Sequence, residues 1–212
     1  MENIIGTKIS EVLDGMKVEG SDRVLLSVML HDVVFDNQRA IFDLVQLGHL
    51  TPASALLRVL FEAHVRGIWL FACATDKQVQ QYKKDSVKSR VKPKNNIPFQ
   101  EMISDIEKEM PHLNGSLSDF KKNHWKGLNS LTHSGTQQFK YQFNNGEMRR
   151  KYSDDYAETL LDFSKRLAIH SLGSLGKIVK STKIIQCCIN LSSEHISQPF
   201  NKSIQPTASG GD

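Results

Sequence analysis

The chain has 212 residues, with 39% apolar and 24% charged side chains and a formal net charge of +4 from 27 Lys and Arg against 23 Asp and Glu. A chain of that length buries roughly 70% of the surface its unfolded form exposes, so no disulfide or metal is needed to hold a core, and the composition excludes wholesale disorder. The mild positive excess permits an anionic partner without requiring one.

Cys73, Cys187 and Cys188 make an odd count with two adjacent residues, which excludes a disulfide framework and fits a reducing cytoplasm. The first residues lack a basic region followed by an apolar one, so no signal peptide is expected. The apolar stretches are interrupted by Asp32, Asp36 and Arg39, or by Arg58, Glu62, His64 and Arg66, so no membrane helix is expected.

In chain order, residues 7–17 read as a weak amphipathic segment closed by Gly15 and Gly20. Ser21 is an N-cap with Asp22 in the first turn of a long helix over 22–47, apolar on most sides and ended by Gly48. Thr51 caps the next helix, Pro52 fills its first position, and the helix runs to about residue 74 with almost no polar face. A helix apolar nearly all round belongs at the centre of a bundle. The link between the two is short, so they should form an antiparallel hairpin.

Thr75 caps a short polar helix over 76–86, and residues 86–98 read as a loop. The basic cluster Lys83, Lys84, Lys88, Arg90, Lys92 and Lys94 reads as solvated, since no aromatic residue is interleaved after Lys83 to stack on bases. Residues 99–110 have helical spacing and stop before Pro111; 112–124 read as irregular, with at most one turn of helix; 126–133 read as helical; and Gly135 interrupts. Residues 139–143 alternate like a strand before the turn signal Asn144-Asn145-Gly146, and read as a loop or a lone edge. Ser153 with Asp154 and Asp155 opens a last long helix that reaches residue 179 or beyond, weakened by Gly173 and Gly176. The pattern predicts an all-α, up-and-down bundle of about five or six helices in a single domain over residues 1–191, followed by a disordered tail over 192–212.

The two central helices each carry a narrow polar stripe. With Arg58 at zero, Glu62 falls near ~40° and Arg66 near ~80° at about 100° per residue, so all three share a flank. Asp32, Asp36, Arg39 and Asp43 share a flank of the preceding helix. In the hairpin, residues pair when their numbers sum to about 99, which sets Asp36 and Arg39 level with 60–63 and lets the stripes meet as a charge cluster. Two outcomes stay open: stripes that face water or merely pin register, or a polar pocket lined by Arg58, Glu62 and Arg66 that suits a phosphate or carboxylate.

A second block, residues 128–138, gathers Asn129, Thr132 and other small polar residues around His133 and Gly135. It offers an imidazole, hydroxyls, amides and a close backbone approach for a ligand; equally, it is a helix C-terminus with Gly135 as cap and His133 against the last carbonyls. The eight histidines lack metal-ligand spacing, so no metal site is expected, and without a Walker loop, a dinucleotide fingerprint or a nucleophile elbow no cofactor is expected. Cys73 reads as core, and Cys187 and Cys188 as inert residues near the end of the last helix.

Residues 55–63 with Trp69-Leu70, and residues 130–135, resemble an uncharacterised family of helical bacterial proteins with an R-x-L-F-E-A…W-L helix and a later T-H-x-G segment. The likeness covers about residues 25–165 and implies Arg58, Glu62 and His133 as site candidates. Residues 201–208 are similar to tails of integron gene-cassette proteins, which implies a mobile accessory gene, a class in which phage defence and toxin–antitoxin functions are common. HEPN-type ribonucleases are helical bundles with an R-x4-6-H motif, and the spacing of Arg58 and His64 resembles it. Six helical residues set those side chains about 240° apart, however, and Val59 stands where that family favours a polar residue. Pairing Arg58 with His133 across the bundle would allow similar acid–base chemistry on RNA.

These residues therefore point to two functions. One is a mobile-element protein that binds a small anionic ligand or a partner through Arg58, Glu62 and Arg66, with Asp36, Arg39, Asn129 and Thr132 beside them. The other is a ribonuclease-like or toxin enzyme with His133 as acid–base and Arg58 stabilising a phosphate. The second requires His133 within about 6 Å of Arg58 or Glu62 in an open cleft. A homodimer is compatible with such a bundle.

Overall fold

A computed structural model describes residues 2–84, 97–133, 135, 143–144, 147–148 and 154–196. Asn3 caps the first helix by accepting from the Gly6 N–H, so α1 spans Ile4–Leu13 and starts before the expected residue 7. The long second helix, α2, spans Asp22–Gln46. Gly48 follows at φ 76, a left-handed conformation that lets the His49 N–H reach the Leu44 carbonyl at 2.7 Å. The third helix, α3, covers Leu50–Ala72 and begins two residues before expectation, with His49 rather than Thr51 at its N-cap. Pro52 then lies in the first turn, where backbone N–H groups have no helical partner to lose.

Thr75 and Gln78 form a capping box that opens α4, Asp76–Lys83. Helix α5, Phe99–Glu109, ends before the 3-10 turn Pro111–Leu113. Helix α6 is continuous over Ser116–Thr132, a correction to the irregular segment expected at 112–124. Leu117, Leu128 and Leu131 supply its buried stripe, with Phe120 and Trp125 packed against the core. Residues Phe143–Asn144 pair antiparallel with Glu147–Met148, so the expected lone edge has a partner just past the turn. Helix α7 spans Asp154–Ile178. Lys180 at φ 54 separates two helices, Ser181 caps the Ile184 N–H, and α8 covers Thr182–His195 as a separate helix. Residues 192–195, expected in the tail, are therefore helical; residues 197–212, and residues 86–96 of the loop expected at 86–98, lie outside the described residues.

Eight α-helices are present among the described residues, more than the five or six expected, and the protein is an all-helical bundle. The weak amphipathic segment near the start is a full helix, α1, and the break near residue 180 adds α8. Helices α2 and α3 form the expected antiparallel hairpin: Arg23 donates to the Leu70 carbonyl at 2.8 Å, Ser27 donates to the Gly67 carbonyl at 2.8 Å, and the His31 and His64 rings meet edge to face. The main core centres on Leu57, Leu60, Phe61, Val65 and Leu70 of α3, packed by α2, α5, α6 and α7. Each such fully buried side chain contributes roughly 1.5–3 kcal/mol. A second core joins α1 and α8 to α7 through Ile5, Ile9, Ile169, Leu172, Ile184 and Leu191. Among the described residues, no helix is long and apolar enough to cross a membrane.

Candidate functional site

One flank of α3 faces α2 and the C-terminal end of α6 across a pocket of about 320 Å³. Its polar wall is Arg58, Glu62, Arg66 and His133; its apolar wall is Leu30 and Val33 of α2 with Val59 and Ala63 of α3; Thr132 closes one side. The four-residue spacing of the α3 stripe does what helical geometry requires. Arg58 Nε donates to Glu62 Oε1 at 2.8 Å, and Arg66 Nη2 lies 3.5 Å from Glu62 Oε2. All three side chains are partly buried, between 22% and 31% exposed, so their mutual attraction is screened less than that of a surface pair.

Arg58 is held from two more sides. Its guanidinium lies 5.0 Å from the centre of the Trp125 ring, and its Nη1 contacts His133 Nε2. His133 ends α6: its backbone N–H reaches the Asn129 carbonyl at 3.0 Å, while its exposed ring turns back to α3. Gly135 completes that turn, with its N–H on the Ser130 carbonyl at 2.7 Å. A Cβ on Gly135 would sit 2.9 Å from the Ser130 Cα, so only glycine fits without moving the helix end. The helix-terminus reading and the ligand reading of this block are thus compatible.

The other expected site residues lie elsewhere. Asp36 and Arg39 pair with each other, and Arg39 donates from Nη1 to Ser10 Oγ of α1 at 2.9 Å. Both are exposed and neither lines the pocket. The cross-hairpin charge cluster is therefore absent among the described residues. Ser27, His31, Val34, Phe35, Gln38 and Ile41 are the buried side of α2, which turns the acidic stripe outward and leaves Leu30 and Val33 opposite Arg58. The Thr132 hydroxyl donates to the Leu128 carbonyl at 2.8 Å within its own helix. Asn129 does not line the pocket; its buried Oδ1 has no hydrogen-bond partner among the described residues.

His64 points away from Arg58, as the helical arithmetic requires. It is buried, and its Nδ1 lies 2.7 Å from Ser171 Oγ of α7. Burial, and then the neighbouring His31 and His170, hold its imidazole well below the usual histidine range. Burial lowers His31 to about 4. Among the described residues no group of three His, Cys, Asp or Glu could hold a metal. Cys73 is half-buried at the end of α3, and burial, then Asp105 and Glu109, push its thiol up to about 11. Burial also raises Cys187 and Cys188, which lie on α8. A raised thiol is a poor nucleophile.

Trp125 was not picked out from sequence, although positions 125, 129 and 133 share one helical face; that pattern becomes visible only once 116–132 is one helix. The arrangement is a cationic recess with one internal counter-charge, an apolar wall and an imidazole at the rim. Such a recess can accept oxyanions bidentately.

Neither the curated proteins nor the solved structures compared with this chain contain a match. A family model, described as a family of unknown function (DUF6988), matches residues 31–199 and so spans Arg58, Glu62, Arg66, Trp125 and His133. The chain belongs to this family of unknown function.

Proposed function

We propose that the recess between α2, α3 and the end of α6 binds a small organic anion, with a phosphate or carboxylate against Arg58 and Arg66. The observation that carries this is the convergence of two guanidinium groups on the single carboxylate of Glu62, with the His133 imidazole against Arg58. Glu62 and Trp125 fix Arg58, so little side-chain freedom remains to be lost on binding. The N–H groups left over, chiefly on Arg66, would take the ligand oxygens at roughly 1.5–3 kcal/mol per charge-assisted bond. Leu30, Val33, Val59 and Ala63 would cover its apolar part. The likeness of residues 201–208 to cassette tails supports a mobile-element setting, and the odd count of three cysteines supports the cytoplasm.

Calorimetric titration with inorganic phosphate and with a nucleoside monophosphate tests this. Binding that weakens at least about tenfold in Arg66→Met, equivalent to ~1.4 kcal/mol, supports the reading. No binding of either probe, or equal binding by the variant, refutes it.

A second reading has its own observation: the exposed His133 ring touches Arg58. A general acid–base beside a cation is the minimum set for cleaving RNA through its own 2′-hydroxyl. Incubation of single-stranded RNA with the purified protein should then give cleavage that His133→Ala abolishes. Intact RNA refutes this reading and leaves the first standing.

A further inference from the structure

Helix α2 presents an apolar strip on the side away from the bundle. Leu25, Met29 and Val33 follow at four-residue steps, each about 40° round from the last, and all three are exposed. Met29 is 63% exposed, and Val59 of α3 adds a further 43% exposed apolar side chain beside Val33 at the pocket. Singly exposed apolar residues need no explanation, but a contiguous strip marks a contact surface.

The strip is flanked by opposite charges on opposite edges. Asp32 is exposed on the far edge, about 60° round α2 from Met29 and away from Leu30, while Asp36 is exposed beyond the C-terminal end of the strip. Arg58, Arg66 and His133 lie on the near side, across the pocket. Asp36 is engaged by Arg39, whereas Asp32 has no ion-pair partner among the described residues. Arg66 keeps only the long 3.5 Å contact to Glu62 among the described residues. An apolar strip with an acidic edge and a basic edge is self-complementary: a two-fold axis through it lays each edge on its opposite.

We infer that this face docks on the same face of a second copy of the chain, with Met29 and Val33 near the axis and Asp32 of each copy against Arg66 of the other. Each pocket then opens beside the seam, and the second copy supplies part of its rim. The inference goes beyond the anion-binding reading, competes with it for Arg66, and needs no ligand for its test.

Sedimentation velocity of the full chain over a range of concentrations should show a monomer–dimer equilibrium. Met29→Asp places a charge at the axis and should weaken the dimer at least about a hundredfold, with helicity checked by circular dichroism. Asp32→Lys, an exposed substitution that leaves the fold intact, should also weaken it, and adding Arg66→Glu should restore it. A wild-type chain that stays monomeric at every concentration overturns the inference. So does a dimer that Met29→Asp and Asp32→Lys leave unchanged, because it would use another face. If Met29→Asp fails to fold, the Asp32→Lys and Arg66→Glu pair decides by itself.

Discussion

Acid should unlock the α2–α3 hairpin through His31, and the size of the effect follows from its surroundings. The ring is fully buried, neither nitrogen has a hydrogen-bond partner among the described residues, and Gly67 of α3 lies against one edge. Burial holds its folded value near 4, against 6.5 in the unfolded chain. Because the folded value is depressed, the unfolded chain binds the proton first. The stability contributed by a neutral His31 is complete above about pH 6.5 and is lost progressively as pH falls towards 4. At ~1.36 kcal/mol per unit, the loss is about 3 kcal/mol, a large part of a typical domain's stability of roughly 5–15 kcal/mol. His64 acts in the same direction. Urea unfolding followed by circular dichroism at pH 7.5, 6, 5 and 4.5 measures this, with His31→Leu as reference so that carboxylate titrations cancel. Wild type should lose about 2.5 kcal/mol relative to the variant across that range, which stops short of the folded value. Parallel stability curves for the two proteins would refute the assignment of His31 as buried and neutral.

Gly67→Ala should destabilise the fold by roughly 1–3 kcal/mol, because the added methyl would lie 3.0 Å from the trapped His31 Nε2; an unchanged urea midpoint contradicts that. Glu62→Gln removes the counter-charge shared by Arg58 and Arg66, so it should cost about 1 kcal/mol of stability after allowing for partial exposure while tightening phosphate binding in a calorimetric titration. Weaker phosphate binding by that variant would count against the recess as an anion site. Gly135→Ala should displace the end of α6 and lower whatever activity or binding depends on His133, with little change in α3; equal function by the variant would argue that His133 has no role.

The hairpin of α2 and α3 was readable because apolar residues dominate both helices and Gly48 with Pro52 marks the turn. The Arg58–Glu62–Arg66 flank was readable for the same reason: three residues at four-step spacing on a helix that is otherwise buried share one face by geometry. The direction of the acidic stripe on α2 stays open in the sequence because helical arithmetic shows which residues share a flank, not which flank meets the neighbour. That choice was made by Phe35 packing into the core of α1 and α7, and by Arg39 reaching Ser10. Helix α6 was hidden by its polar content between Ser118 and His124, where a few long side chains, Phe120 and Trp125 among them, carry the packing. The contact of His133 with Arg58 spans 75 residues of sequence; it is a product of tertiary packing, and no local pattern encodes it.

Diffraction from a crystal of this chain soaked with sulfate tests the recess as an anion site most directly. The oxyanion should lie in the recess, within hydrogen-bonding distance of both Arg58 and Arg66, with Glu62 still bracing Arg58. Sulfate found only outside the recess, or Arg58 and Glu62 turned into bulk solvent with no recess between α2 and α3, would contradict it.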